Sequence, residues 1–114
     1  MDHPETQAVF LALADPTRRW LIERLTTMET ATASNIADQL PITRQAISKH
    51  FGVLVEAGLA DCRQVGRERQ YSLVPEQLDA AAGWIESVAQ QWDQRLKKLE
   101  QFLSVEGEND DSSL

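Results

Sequence analysis

Arg44, Gln45, Ser48 and Lys49 fall at i, i+1, i+4 and i+5, while Ile47, Phe51 and Leu54 take the opposite side of the same helical projection. As residue types these four carry the donors and acceptors that nucleic-acid base edges require: Arg or Lys pairs bidentately with guanine, Gln with adenine, and Ser with a base or a phosphate. A merely solvated polar face has the same spacing, so the pattern permits base reading without requiring it. His50 lies at the boundary of this face, where packing, capping and DNA contact are all open. Thr43, just ahead of it, offers an N-cap and a less certain backbone contact. Arg67 and Arg69 follow Gly66 at a turn, where a cation suits phosphate contact or simply blunts an edge strand. Arg18 and Arg19 could add a phosphate contact or be ordinary surface charge.

The charge of the whole chain argues the other way until it is divided. In 114 residues, 18 Asp and Glu outweigh 11 Lys and Arg, for a net charge of -7. Residues 1–74 carry eight basic against nine acidic side chains, whereas residues 75–114 carry three against nine. Between 43 and 70 the balance reverses: Arg44, Lys49, Arg63, Arg67 and Arg69 face Glu56, Asp61 and Glu68. This segment has the local basic footprint that phosphate attracts.

The elements that must position these residues are legible from caps and periodicity. An apolar run from Ala8 to Ala14 stops at Asp15-Pro16, which reads as the N-cap and first residue of a second helix bearing Leu21, Ile22 and Leu25 on one face. Thr32 can cap a short helix over 33–40, and Thr43 a helix over 43–57 that ends at Gly58, a residue suited to a left-handed C-terminal position. Two helices across a short turn fit a helix-turn-helix. Residues 60–65 and 69–74 around Gly66-Arg67-Glu68 predict a β-hairpin. Pro75-Glu76 then opens a long helix with Leu78, Ala81, Ile85, Val88, Trp92, Leu99 and Phe102 in 3-4 alternation, interrupted at Arg95. The fold class expected is mainly α with a small β-hairpin wing. Residues 1–106 form one domain in this reading, and 107–114 an acidic disordered tail.

These fragments resemble the bacterial ArsR/SmtB-type winged helix-turn-helix repressors. The likeness rests on Leu13-Ala14-Asp15-Pro16-Thr17-Arg18-Arg19, on Ile47-Ser48-Lys49-His50-Phe51 with Leu54 and Glu56-Ala57-Gly58-Leu59, and on Gly66-Arg67-Glu68-Arg69-Gln70-Tyr71-Ser72-Leu73. It spans roughly residues 6 to 103, and Trp84, Trp92, Arg95-Leu96 and Leu99-Glu100 are similar to the metal-independent branch. The resemblance implies a DNA-binding repressor that acts as a homodimer on a near-palindromic operator, with Arg44, Gln45, Ser48 and Lys49 at the bases. It also implies a dimer interface from Val9, Phe10 and Leu13 of the first helix with Trp84, Ile85, Val88, Trp92, Leu99 and Phe102 of the last. Completion of the monomer core is the alternative use of those tryptophans.

Other classes find less support. His3 and His50 are the only histidines, and neither sits in a nucleophile motif or a metal-ligand doublet, so neither an enzyme nor a cofactor is expected. The family's metal sensors place cysteines on the helix before the recognition helix, or His and carboxylate ligands on the terminal helix. Ser34-Asn35-Ile36-Ala37-Asp38 contains no thiol and the long helix no histidine, leaving Asp79, Glu86 and Asp93 as scattered carboxylates. Cys62 reads as a small packed residue, with a redox switch as the alternative. No run suits a membrane span or signal peptide, so a cytoplasmic protein is expected. A winged helix that binds protein instead of DNA is the rival within the same fold. The operator, the regulated genes and the effector cannot be read from these residues.

Overall fold

A computed structural model describes residues 4–112, with side chains through residue 104. In chain order the elements are α1 (Pro4–Leu13), α2 (Pro16–Thr27), α3 (Ala33–Ala37), α4 (Arg44–Glu56), β1 (Ala60–Val65), β2 (Glu68–Leu73) and α5 (Glu76–Ser112). They fall into two compact units, one up to Ala81 and one from Ala82 onward.

Caps fix the helix starts in the first unit. The Asp15 carboxylate accepts from the backbone N–H groups of Thr17 at 2.7 Å and Arg18 at 3.2 Å, and Pro16 needs no partner there. Burial opposes ionisation of Asp15. The N–H bonds of Arg18 and Thr17, helped by the charge of Arg18, outweigh it and hold the carboxyl below its ordinary 3.8. Thr32 and Asn35 form a reciprocal capping box on α3, and Thr43 Oγ1 accepts from Ala46 N at 3.1 Å on α4. At the other end of α4, Gly58 at φ 77 lets its own N–H reach Val55 O and that of Leu59 reach Leu54 O, which is a Schellman ending.

The expected helix over 33–40 is corrected to Ala33–Ala37. Proline disfavours helical geometry at Leu40 and has no N–H to continue the ladder, so the chain tightens into turns after Asp38. The hairpin forms, but its second strand is corrected from 69–74 to Glu68–Leu73: pairing runs from Ala60 with Leu73 to Val65 with Glu68, which takes Glu68 out of the turn. Its two-residue connection has Gly66 at φ 62 and Arg67 at negative φ, the signs of a II′ turn whose twist suits a hairpin. Ala31 and Tyr71 exchange backbone hydrogen bonds of 2.8 and 2.9 Å, stitching the approach to α3 onto β2.

Leu21, Ile36, Ile47, Phe51, Leu54 and Leu59 are fully buried in the core of the first unit. Val9 joins them at 0 % exposure. It is therefore corrected from interface to core, because α1 turns that side of itself inward against the other helices. Cys62 is also corrected: it is exposed, since a two-stranded hairpin has no second layer and only Ala60 of β1 and Tyr71 of β2 are buried. In the second unit, α5 continues as a helix whose Trp84, Ile85, Val88, Trp92, Leu96, Leu99, Phe102 and Leu103 are substantially exposed. Of the disordered tail expected over 107–114, residues 107–112 instead continue the backbone helix of α5, and 113–114 lie outside the described residues.

Candidate nucleic-acid interface

An aromatic stack joins α4 to the wing β1–β2, beside the backbone bonds that Leu59 makes to Leu54 and Val74. Phe51 and Tyr71 stack with ring centroids 4.1 Å apart and planes 5° from parallel. Burial pushes the Tyr71 phenol above its ordinary 10.0, with the facing Cys62 adding to the effect and Arg69 partly offsetting it. Tyr71 is therefore a neutral strut at neutral pH.

Between α4 and the wing lies an open cleft of about 1070 Å³. Arg44, Gln45, Ser48 and Lys49 all line it, as do Arg67 and Arg69 of the hairpin. The cationic side chains Arg44, Lys49, Arg67 and Arg69 face Glu68 as the one carboxylate among the lining residues, so the cleft is positive within a chain of net charge -7. Low-lying walls with exposed Arg, Lys, Gln and Ser offer a groove-sized ligand both charge complementarity and directional hydrogen bonds.

Other expected contacts are used differently. Arg18 donates through Nε to Ala12 O at 2.7 Å and through Nη2 to Leu11 O at 3.2 Å, the latter carbonyl also accepting from Ala14 N, and so ties down the end of α1. Its Nη1 lies 3.3 Å from His50 Nδ1 and 3.9 Å from the Asp15 carboxylate. A guanidinium can only donate, so Nδ1 of His50 is the acceptor. Arg18 and His50 thus form an internal brace across α1, α2 and α4, and neither lines the cleft. Arg19 caps the same helix end through Leu13 O at 2.6 Å. The Thr43 hydroxyl serves the N-cap of α4.

The sequence reading overlooked Thr32, Ser34, Gln64, Glu68 and Tyr71, which also line the cleft. Ser34 accepts a hydrogen bond from Arg44 Nη1 at 2.9 Å. The signal for Thr32 and Ser34 was present in the cap itself: a helix-turn-helix brings the start of its first helix beside the start of its second. Among the described residues, no three His, Cys, Asp or Glu side chains gather as metal ligands would, and no helix is long and apolar enough to cross a membrane.

The chain is similar in sequence and fold to known proteins. The profile of a helix-turn-helix domain family matches residues 13–63, from the end of α1 into β1. The HTH-type transcriptional regulator Rv2034 of Mycobacterium tuberculosis is 36 % identical over 98 residues, covering 86 % of this chain and 88 % of its own. The transcriptional repressor SdpR of Bacillus subtilis is 32 % identical over 68 % of this chain and 84 % of its own. An ArsR-like transcriptional regulator from Rhodococcus sp. RHA1 superposes with a TM-score of 0.73 at 37 % identity, over 86 % of this chain and 92 % of its own.

Proposed function

The chain belongs to the ArsR family of winged helix-turn-helix DNA-binding transcriptional regulators, and from that premise we propose that it represses transcription as a homodimer seated on a near-palindromic operator. The cleft carries this reading: four side chains suited to base edges and two wing arginines converge on one surface fixed by the Phe51–Tyr71 stack. Arg44, Gln45, Ser48 and Lys49 read bases in the major groove, while Arg67 and Arg69 hold the adjacent backbone. Arg18 and His50 hold α4 in place and do not touch DNA.

One observation supports the dimer, and the spacing that a two-fold pair would give suits DNA. α5 exposes a long apolar stripe, with Trp92 54 % and Phe102 59 % accessible, of a kind that soluble chains cover with a partner. A two-fold pair also places two recognition helices about 34 Å apart, one turn of DNA. Of the α1 residues, Phe10 and Leu13 remain in the proposed interface and Val9 does not. The similarity to SdpR, named a repressor, favours repression over activation. The proposed site of action is the cytoplasm, where bacterial operators are. Catalysis has no place in this account, and metal has none in DNA release.

The experiment is a salt titration of two variants. Arg44→Ala lowers specific affinity by about 1–3 kcal/mol and leaves non-specific binding nearly intact. Arg67→Ala weakens every sequence alike and makes the slope of log affinity against log salt shallower by about one unit. Indistinguishable behaviour of the two variants would contradict the assigned roles.

A further inference from the structure

We propose that Ser34, a residue of α3 outside the recognition helix, is a positioning residue for base readout: its hydroxyl fixes the direction of the Arg44 guanidinium and so sets the sequence preference at the base Arg44 meets. The inference rests on the reading of the cleft as the DNA-reading surface. Its basis is the 2.9 Å hydrogen bond from exposed Arg44 Nη1 to half-buried Ser34 Oγ, both residues lining the cleft.

An exposed arginine samples many rotamers, and a base contact requires one of them. Ser34 removes part of that freedom because its own backbone is held from both sides. The Thr32–Asn35 capping box, with bonds of 3.0 and 3.1 Å, fixes the start of α3, and fully buried Ile36 roots the helix in the core. The acceptor is thus part of the scaffold and not a second floppy side chain. Donation to Ser34 spends one of the five guanidinium N–H groups, and the Nε–Nη2 edge stays available as a fork for the two acceptors of a guanine. The hydroxyl keeps its own proton free. Serine is small enough to leave the fork exposed, alanine would remove the acceptor, and threonine would preserve it.

A double-mutant cycle on the full chain tests this, using the operator selected by the wild-type protein, operators altered at the base where Arg44→Ala relaxes preference, and a non-operator duplex. Ser34→Ala should lower discrimination at that base by about fivefold, on the scale of one ordinary solvent-accessible hydrogen bond. Its melting temperature, non-operator affinity and salt slope should match wild type, Ser34→Thr should restore discrimination, and Ser34→Ala should add nothing in an Arg44→Ala background. Additive effects of the two substitutions would overturn the proposal. So would uniform weakening on all duplexes with a shallower salt slope, because Ser34 would then be a phosphate contact in its own right. If Arg44→Ala relaxes preference and Ser34→Ala does not, positioning fails while the reading of the cleft stands. If Arg44→Ala relaxes no base at all, the reading of the cleft falls and the proposal falls with it.

Discussion

α4 and α5 are both amphipathic helices, yet they dispose of their apolar sides in opposite ways. On α4, Ile47, Phe51 and Leu54 are fully buried, and the polar side is left facing the cleft. On α5, Trp92, Leu99 and Phe102 are each more than half accessible. Their charge differs as well: α4 contributes Arg44 and Lys49 to a positive surface, while most of the chain's acidic excess lies beyond residue 74. The same periodicity therefore serves two tasks. One helix uses its own chain to become rigid and offers its polar side to a ligand; the other offers its apolar side, and under the proposed pairing a second copy covers it.

That contrast can be broken from either side. Trp92→Glu or Leu99→Glu puts a charge into the proposed seam, where an unpaired buried charge costs several kcal/mol, about 3–5 by analogy with broken buried pairs. The variants should sediment as monomers with an intact first unit, and binding to a duplex with two half-sites should fall steeply. A variant that remains dimeric would remove these residues from the interface. Phe51→Ala should act the other way, costing about 3–5 kcal/mol of folding stability in chemical denaturation. It also unlinks the wing from α4. Stability close to wild type would mean that the stack with Tyr71 does not hold the cleft together.

A smaller effect sharpens the contrast by testing what fixes the start of α2. Asp15→Ala removes an N-cap and should cost about 1 kcal/mol at neutral pH. Because the folded-state pKa of Asp15 lies below 3.8, its ionic contribution is complete above the ordinary carboxylate range and disappears as pH falls through the folded value. Asp15→Asn keeps an acceptor for Thr17 and Arg18 and should flatten the stability profile between about pH 5 and 3. An unchanged acid profile in Asp15→Asn would assign that sensitivity elsewhere. The smallest expected effect concerns α5 as a pairing helix and not an ion sensor: excess zinc or a chelator should alter operator affinity by less than a factor of about two. A tenfold change, about 1.4 kcal/mol, would put a metal site back into the account.

Legibility in the sequence followed the range of the interaction. Asp15-Pro16, Thr32, Thr43, Gly58 and Gly66 act on neighbours a few residues away, and the elements they start or stop formed where expected, apart from the shortened α3. The four polar residues of α4 were legible because helical spacing alone puts them on one side. Burial depended on which elements meet, and local pattern is silent about that. Val9 was assigned outward and is buried, while Cys62 was assigned inward and is exposed. Arg18 and His50 carried the residue types of a DNA contact and turned out to brace each other across 32 residues of chain. Ser34 escaped notice for the converse reason: a serine at a helix start is ordinary until Arg44 is placed 2.9 Å away.

Whether the cleft reads DNA is decided by selecting duplexes from a random pool with the purified 114-residue chain. The account predicts enrichment of a two-fold-related pair of half-sites with centres about 10 base pairs apart, and loss of the enriched base preference in Arg44→Ala. Failure to enrich any motif, together with capture of a protein partner that survives the loss of Arg44 and Lys49, would contradict it and place the working surface outside the cleft.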